Sequence, residues 1–489
     1  MGNISRRKVL ILVVLCLVVL AAIFGGGYLL GQKLSERNEC SGTELSEDNL
    51  ASDPSSEPAS LSEEDTSTDS QSLQTLTGTV TEGTMSTLAV KGEDGIVYQF
   101  DRSSATVDDG GNGLLIGETV TVYYRGSLGP EAEMQPVKVE KITVDAVPKE
   151  TAEQTPLQRA IQLMEEMTLE EKVGQMFIAR CPEEDTAEKV AQYHLGGYIL
   201  FARDFENRDP ETAAATIQSY QDAADIPLLI GVDEEGGTVN RVSLYPAYRS
   251  SPFQSPQALY TEGGFEAIEA DTKEKCELLQ SLGINVNFAP VCDVSQDPAD
   301  FIYRRSFGAD AFLTAQYVQT VVQAMNSSGM MSVLKHFPGY GNNADTHTGI
   351  AYDNRPYETF LDSDFLPFEA GIKAGAEMVL VSHNIVNCID PDLPASLSPA
   401  VHQILRDTLS FSGVIVTDDL AMDGIRDFTG DKEAAVLAVK AGNDLLCCTD
   451  FETQIPAVLD AVESGEIDEE QIEDSVVRIL LMKIEEGLL

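Results

Sequence analysis

At 489 residues the chain is longer than one ordinary domain, so one large domain with smaller parts is expected. A formal net charge of −48 and a pI near 4.2 exclude the basic surface that nucleic-acid phosphates require. The same acidity repels anionic lipid, so any membrane contact has to come from an apolar segment.

Such a segment stands at the start. Arg6, Arg7 and Lys8 precede an uncharged apolar run from Val9 to about Leu30, roughly the twenty residues that a bilayer-spanning helix needs. A secretory signal has a shorter apolar core, about 7–15 residues, and a small-residue cleavage site. Gly25, Gly26 and Gly27 leave cleavage open. The reading for residues 1–33 is a basic flank and an uncleaved signal anchor, basic side inside and the rest extracytoplasmic, with a cleaved, secreted form as the alternative. Residues 34–72 include the stretch "SGTELSEDNLASDPSSEPASLSEEDTSTDSQ", which itself has neither a basic nor an aromatic residue. This composition cannot offset ordering entropy and reads as a disordered, charge-extended tether.

Over 73–147 the pattern becomes short alternating runs ("LTGTVTEG", "STLAVKG", "IVYQFD", "ETVTVYYRG", "VKVEKITV") separated by turns such as "EDG" and "DDGGNG". The spacing predicts a small antiparallel β-barrel of about five strands, OB-like. Basic residues with interleaved aromatics are missing, which disfavours single-stranded nucleic acid. A spacer or a carbohydrate- or partner-binding module is expected instead.

From 157 to 489 the signal is α/β. Thr168 and Glu171 make a capping box at a helix start. Eight apolar runs then alternate with helical stretches: "MFIAR", "GYILF", "PLLIGVD", "NVNFAPVCDV", "MSVLKHF", "EMVLVSH", "GVIVTDD" and "NDLLCCT". Near-continuous apolar strands between helices predict parallel strands covered on both faces, and eight of them predict a (β/α)8 barrel. Asp233, Asp293, Lys335 with His336, His383 and Asp418 fall at the C-terminal ends of these runs. In such a barrel those ends converge on the active-site face, which favours an enzyme. The eight cysteines include no CxxC pair and no zinc spacing; Cys447 and Cys448 read as core residues. No metal site and no nucleotide-binding loop is expected, so no cofactor is called for.

Several motifs together resemble glycoside hydrolase family 3, and within it the β-N-acetylhexosaminidase branch. They are "MTLEEKVGQMF", "GGYILFARDFEN", "VDEEGGTVNRV", "RRSFG", "KHFPGYGNNADTH" and "VIVTDDLAM", in that order across residues 160–489. The resemblance implies that Asp418 is the nucleophile that forms a covalent glycosyl-enzyme. It implies that His347, partnered by Asp345, is the acid/base, where retaining glycosidases usually use a second carboxyl. Imidazole titrates near neutrality and suits proton transfer in both directions. Other branches draw the acid/base from a second α/β domain, whereas this sequence stops at Leu489, soon after the last barrel run; the expectation is therefore an acid/base from within the barrel. By resemblance, Asp233, Arg241, Arg305, Lys335 and His336 contact the sugar. Asp293 and His383 are support candidates, Arg304 is structural and Met422 is packing. Asp419 is expected to face away from the barrel mouth if the strand alternation runs through it. The departures from the family pattern, Glu234, Thr238, Tyr340, Thr346 and Thr417, include two near the sugar site, Glu234 and Thr238.

The implied function is a retaining exo-β-N-acetylglucosaminidase acting on GlcNAc-terminated glycans, cell-wall fragments or muropeptides. β-Glucosidase or glycoside phosphorylase activity, or an inactive wall-binding protein, are the alternatives. Within "VLKHFPGYGNNADTHTGI", Val333–His336 is expected to present Lys335 and His336 to the sugar. Gly339–Thr348 is expected to be a glycine-hinged loop carrying Asp345 and His347.

Overall fold

The structure, a computed structural model, describes residues 73–83, 87–92, 94–102, 105–108, 119–125, 128, 137–146, 154–343, 349–429 and 434–489. The expected anchor and tether, and both members of the Asp345–His347 pair, lie outside the described residues. Among the described residues no helix is long and apolar enough to cross a membrane. The chain divides into two compact units, with the main boundary at Asp145/Ala146.

The first unit is all β. Its strands are β1 (Gln74–Gly83), β2 (Thr87–Gly92), β3 (Val97–Asp101), β4 (Thr106–Asp108), β5 (Thr119–Tyr124) and β6 (Val137–Ala146). They form one sheet in the order β3-β2-β1-β5-β6-β4, and an extra β3–β6 pairing through Phe100 and Val137 curls the sheet back on itself. Alternation explains the interior: along β5 every second residue is buried, and Val120, Val122 and Tyr124 meet Leu88, Val90, Phe100 and Ile142 in one core. The sequence suggested about five antiparallel strands. Among the described residues there are six, and β4 and β3 each pair with β6 in parallel. A three-residue strand such as β4 is too short to show an alternation pattern.

The second unit is the barrel. Each of the eight apolar runs contains one strand: β7 (Phe177–Arg180), β8 (Gly197–Leu200), β9 (Leu229–Val232), β10 (Val286–Asn287), β11 (Met331–Phe337), then, after β12 (Tyr352–Asp353), β13 (Met378–Val381), and, after β14 (Ile385–Val386), β15 (Val414–Thr417) and β16 (Leu446–Cys448). Their order is β15-β13-β11-β10-β9-β8-β7-β16, neighbouring strands run parallel, and the bridge Val416–Leu445 joins the two ends. The strand residues are almost all buried because helices cover the outside and side chains fill the inside. The entry helix Leu169–Gln175 is capped as its sequence predicts: Thr168 Oγ1 accepts from Glu171 N, and Thr168 N donates to the Glu171 carboxylate at 2.7 Å. β12 and β14 pair outside the barrel sheet, beside the connection that follows β11.

Candidate active site

Every barrel strand contributes to one cleft of about 510 Å³ at the C-terminal rim. Arg180 comes from β7, Phe201 follows β8, Asp233 follows β9 and Phe288 follows β10. Lys335 and His336 lie on β11, Leu380 on β13, Asp418 follows β15 and Thr449 follows β16. Arg241 and Arg305 close the ring from loops. All the described residues that the sequence assigned to catalysis or sugar contact therefore line one space: Asp233, Arg241, Arg305, Lys335, His336 and Asp418.

The charged groups interlock. Lys335 Nζ donates to Asp233 Oδ1 at 2.7 Å and lies 2.6 Å from Glu235 Oε1. Arg305 holds Glu235 as a fork, Nη2 to Oε1 at 2.7 Å and Nε to Oε2 at 3.0 Å; such paired bonds fix orientation as well as charge. Arg241 Nη2 is 3.5 Å from the other Asp233 oxygen. Burial by itself would raise the Glu235 pKa, but the Arg305 guanidinium and the Lys335 ammonium hold it well below the usual carboxylate range. Burial likewise opposes the charge on Arg305, and Glu235 outweighs it, so that guanidinium is raised above its ordinary value. Glu235 thus stays ionised and anchors two cations that face the cleft.

His336 is held from behind. Its Nδ1 is 2.7 Å from Asp293 Oδ2, and Asp293 also accepts from His336 N at 3.2 Å and from Tyr340 N at 2.7 Å. Nε2 lies 3.1 Å from Arg305 Nη2. Arginine only donates, so Nε2 accepts and Nδ1 carries the hydrogen given to Asp293. The ladder from β11 to β13 shifts register between Leu334 and Phe337, so simple alternation fails there and the neighbours Lys335 and His336 both border the cleft. The Lys335–His336 peptide is cis.

At the end of β15, Asp418 N donates to Val381 O, and the Asp418 carboxylate accepts from Asp419 N at 2.9 Å. Asp419 also borders the cleft, against the expectation that it faces away. β15 ends at Thr417, so alternation no longer governs either aspartate. Their partners differ: Asp419 caps the following loop, accepting from Ala421 N, Thr449 N and Thr449 Oγ1. His383 supports the same corner, with Nδ1 on Ser396 Oγ and Nε2 3.0 Å from Asp419 O. Cys447 borders the cleft too, but burial and then Asp419 and Asp418 push its thiol well above the ordinary range. It is a poor nucleophile.

Two departures from the family pattern flank the cleft lining without joining it. Glu234 is fully buried and accepts from Arg241 N, Val242 N, Ser243 N and Ser243 Oγ; it staples the loop. Thr238 is exposed. Arg304 is exposed, while Arg305 turns inward. Met422 lines the cleft as a packing residue. Glu235 went unnoticed in the sequence: it lies past the end of β9, where alternation no longer sorts Asp233, Glu234 and Glu235 by side. Among the described residues no group of three or more His, Cys, Asp or Glu could hold a metal ion.

The family model described as "Glycosyl hydrolase family 3 N terminal domain" matches residues 168–482. The chain belongs to glycosyl hydrolase family 3. Similar sequences include Beta-hexosaminidase A of Pseudoalteromonas piscicida, 32% identical over 61% of this chain and 55% of that protein. Beta-hexosaminidase of Xylella fastidiosa (strain M12) is 34% identical over 52% of this chain and 75% of that protein. The chain thus spans only about half of the Pseudoalteromonas protein. Among solved structures, a family 3 β-N-acetylglucosaminidase from Paenibacillus sp. str. FPU-7 aligns with TM-score 0.62 and 34% identity, covering 66% of this chain and 63% of that one. The β-N-acetylhexosaminidase from Beutenbergia cavernae DSM 12333 aligns with TM-score 0.59 and 28% identity over 66% of this chain and 99% of that one.

Proposed function

We propose that this family 3 protein is a glycoside hydrolase acting on O-glycosyl bonds, and specifically a retaining exo-β-N-acetylglucosaminidase. The observation that carries the reading is the placement of Asp418 in the same cleft as Asp233, Arg241, Arg305, Lys335 and His336. The hexosaminidase names of its relatives support the choice of sugar. Asp233 and the cations it holds offer acceptors and donors to sugar hydroxyls, and charge-assisted bonds of this kind are strong. His336 presents Nε2 with its ring orientation fixed by Asp293.

In this reading Asp418 attacks the anomeric carbon, the glycosidic C–O bond breaks, and His347 gives its proton to the departing oxygen. Water then attacks the glycosyl–Asp418 ester, His347 takes the proton back, and the sugar leaves with retained configuration. Asp345 would orient the imidazole and stabilise its charged form. The substrates are GlcNAc-terminated glycans or muropeptides. The apolar run from Val9 to about Leu30 supports a single-pass anchor with the barrel outside the membrane; detection of the protein in the detergent-soluble membrane fraction, with the barrel accessible to added protease, tests that placement.

The activity test compares aryl β-N-acetylglucosaminide with aryl β-glucoside. Turnover of the former is expected, with a 5-fluoro GlcNAc donor adding its mass to the Asp418 peptide. Asp418→Asn is expected to lower kcat by about 10³-fold or more. A wild-type protein inert on every β-glycoside, or a label on another residue, overturns the assignment.

A further inference from the structure

Behind the cleft, the turn that follows β11 rests on a partly buried guanidinium. Arg355 donates Nε to both Asp353 oxygens at 3.1 and 3.0 Å, and Nη2 to Asp353 Oδ2 at 2.7 Å. Its Nη1 donates to both oxygens of Asp364 at 2.9 and 3.0 Å, and Nη2 also reaches Gly339 O at 3.1 Å. All three guanidinium nitrogens are used, with two buried carboxylates as partners. Phe360 covers the guanidinium, its ring centroid 4.5 Å from Cζ.

The turn is built to receive this group. Gly339 (φ +120) and Gly341 (φ +52) have backbone conformations that side chains disfavour. A Cβ on Gly339 would overlap the Asp364 carboxylate, and one on Gly341 would overlap the Arg355 guanidinium. Asn343 Nδ2 donates to Asp353 Oδ2 at 2.7 Å, tying the far end of the turn to the same cluster. Between the two glycines, Tyr340 N donates to Asp293 Oδ1, and the other Asp293 oxygen holds His336 Nδ1. Tyr340 also stands edge-on to the His336 ring, 5.2 Å between centroids at 90°. A continuous path therefore runs from Arg355 through Gly339 and Tyr340 to Asp293 and His336.

We propose that Arg355 is a positioning residue for catalysis, clamping the Gly339–Asn343 turn so that Tyr340 and Asp293 set the orientation of His336 in the cleft. Lysine cannot replace it, because a single ammonium cannot bridge Asp353, Asp364 and the Gly339 carbonyl in one plane. The inference rests on the glycosidase reading of the cleft, and wild-type turnover of aryl β-N-acetylglucosaminide checks that reading separately.

The test uses the full chain with Arg355→Lys, Gly341→Ala, the double variant and Arg406→Lys. Arg406 is a comparable partly buried guanidinium, held by Asp444 and remote from the cleft lining. Kinetics are read well below each variant's melting temperature. Arg355→Lys and Gly341→Ala are each expected to lower kcat/KM by about 10- to 100-fold, the loss typical of a misplaced catalytic constellation. The double variant is expected to lose no more than the worse single one, since both break one clamp. Imidazole ¹⁵N spectra, with His336 assigned through His336→Gln, are expected to show its signals moved in both single variants and those of His402 unmoved. Arg406→Lys is expected to lower the melting temperature without changing kcat/KM. The inference is overturned if the wild type is active and Arg355→Lys stays within about 2-fold of it, or if the His336 signals do not move. Losses that multiply in the double variant overturn it as well. A wild type without activity would instead overturn the glycosidase reading.

Discussion

Glu235 Oε1 lies 2.6 Å from Lys335 Nζ, and the same oxygen is 2.7 Å from Arg305 Nη2. One carboxylate, 3% exposed, thus fixes both cations at the cleft rim. Breaking a buried pair from one side leaves an uncompensated charge and costs about 3–5 kcal/mol. Glu235→Gln is therefore expected to lower urea-unfolding stability by an amount of that order and kcat/KM by about 10- to 100-fold. A variant with wild-type stability and turnover would show that Asp233 alone suffices to hold Lys335.

Asp293 controls a ring rather than a charge. It accepts from Nδ1 of His336 and from Tyr340 N through different oxygens. In Asp293→Asn one of those acceptors becomes an NH₂ donor, and Nδ1 can no longer donate to it if the amide faces the ring. The expected result is a loss of about 10²-fold in kcat/KM, accompanied by a change in the His336 tautomer seen by ¹⁵N NMR. Unchanged imidazole shifts would count against Asp293 as the orienting group.

The two adjacent aspartates should separate cleanly by readout. Asp419 is occupied with Ala421 N, Thr449 N and Thr449 Oγ1, so Asp419→Asn disturbs the loop that carries it. Asp418→Asn removes the proposed nucleophile. Rescue by added azide, which can attack the anomeric carbon in place of a missing carboxylate, is expected for an Asp418→Gly variant and not for Asp419→Gly. Azide rescue of the latter alone would exchange their roles.

Two buried groups at the foot of the barrel give stability opposite slopes with pH. Burial pushes Glu377 up to about 7 from 4.5, against the hydrogen bonds from Ser332 N and Oγ. The native state then binds more protons than the unfolded chain between those values, so this term falls as pH rises from about 4.5 to 7 and is flat above. Burial pushes Lys483 down to about 7 from 10.5; its Nζ has only neutral partners, Gln175 Oε1 and Gly196 O. Here the unfolded chain binds more protons, so stability rises from pH 7 towards 10.5. The effects are about 3 kcal/mol for Glu377 and about 5 kcal/mol for Lys483. Melting curves across this range are expected to flatten below pH 7 in Glu377→Gln and above pH 7 in Lys483→Met. An unchanged pH profile in either variant would remove that group as the source.

The sequence by itself determined the eight barrel strands, because a strand covered on both faces leaves a short apolar run, and eight such runs alternate with helical stretches. It also determined that Asp233, Lys335, His336 and Asp418 share one rim, since each follows or ends such a run and parallel strands bring those ends together. Local spacing carried the Thr168 cap in full. The small β unit was legible as alternating runs, but its sixth strand and parallel pairings were not, because long-range pairing has no local signature. The tertiary structure alone decided which carboxylate does what. Asp233, Glu234 and Glu235 are chemically alike in sequence, yet one lines the cleft, one staples the 241–243 loop and one anchors Lys335 and Arg305. Asp418 and Asp419 differ only in their partners, and Arg355 gained a role only when Gly339, Gly341, Asp353 and Asp364 met around it. The physical reason is that ionisation and orientation are set by burial and neighbouring charge, which the fold supplies; Glu235 meets Arg305 and Lys335 only through it.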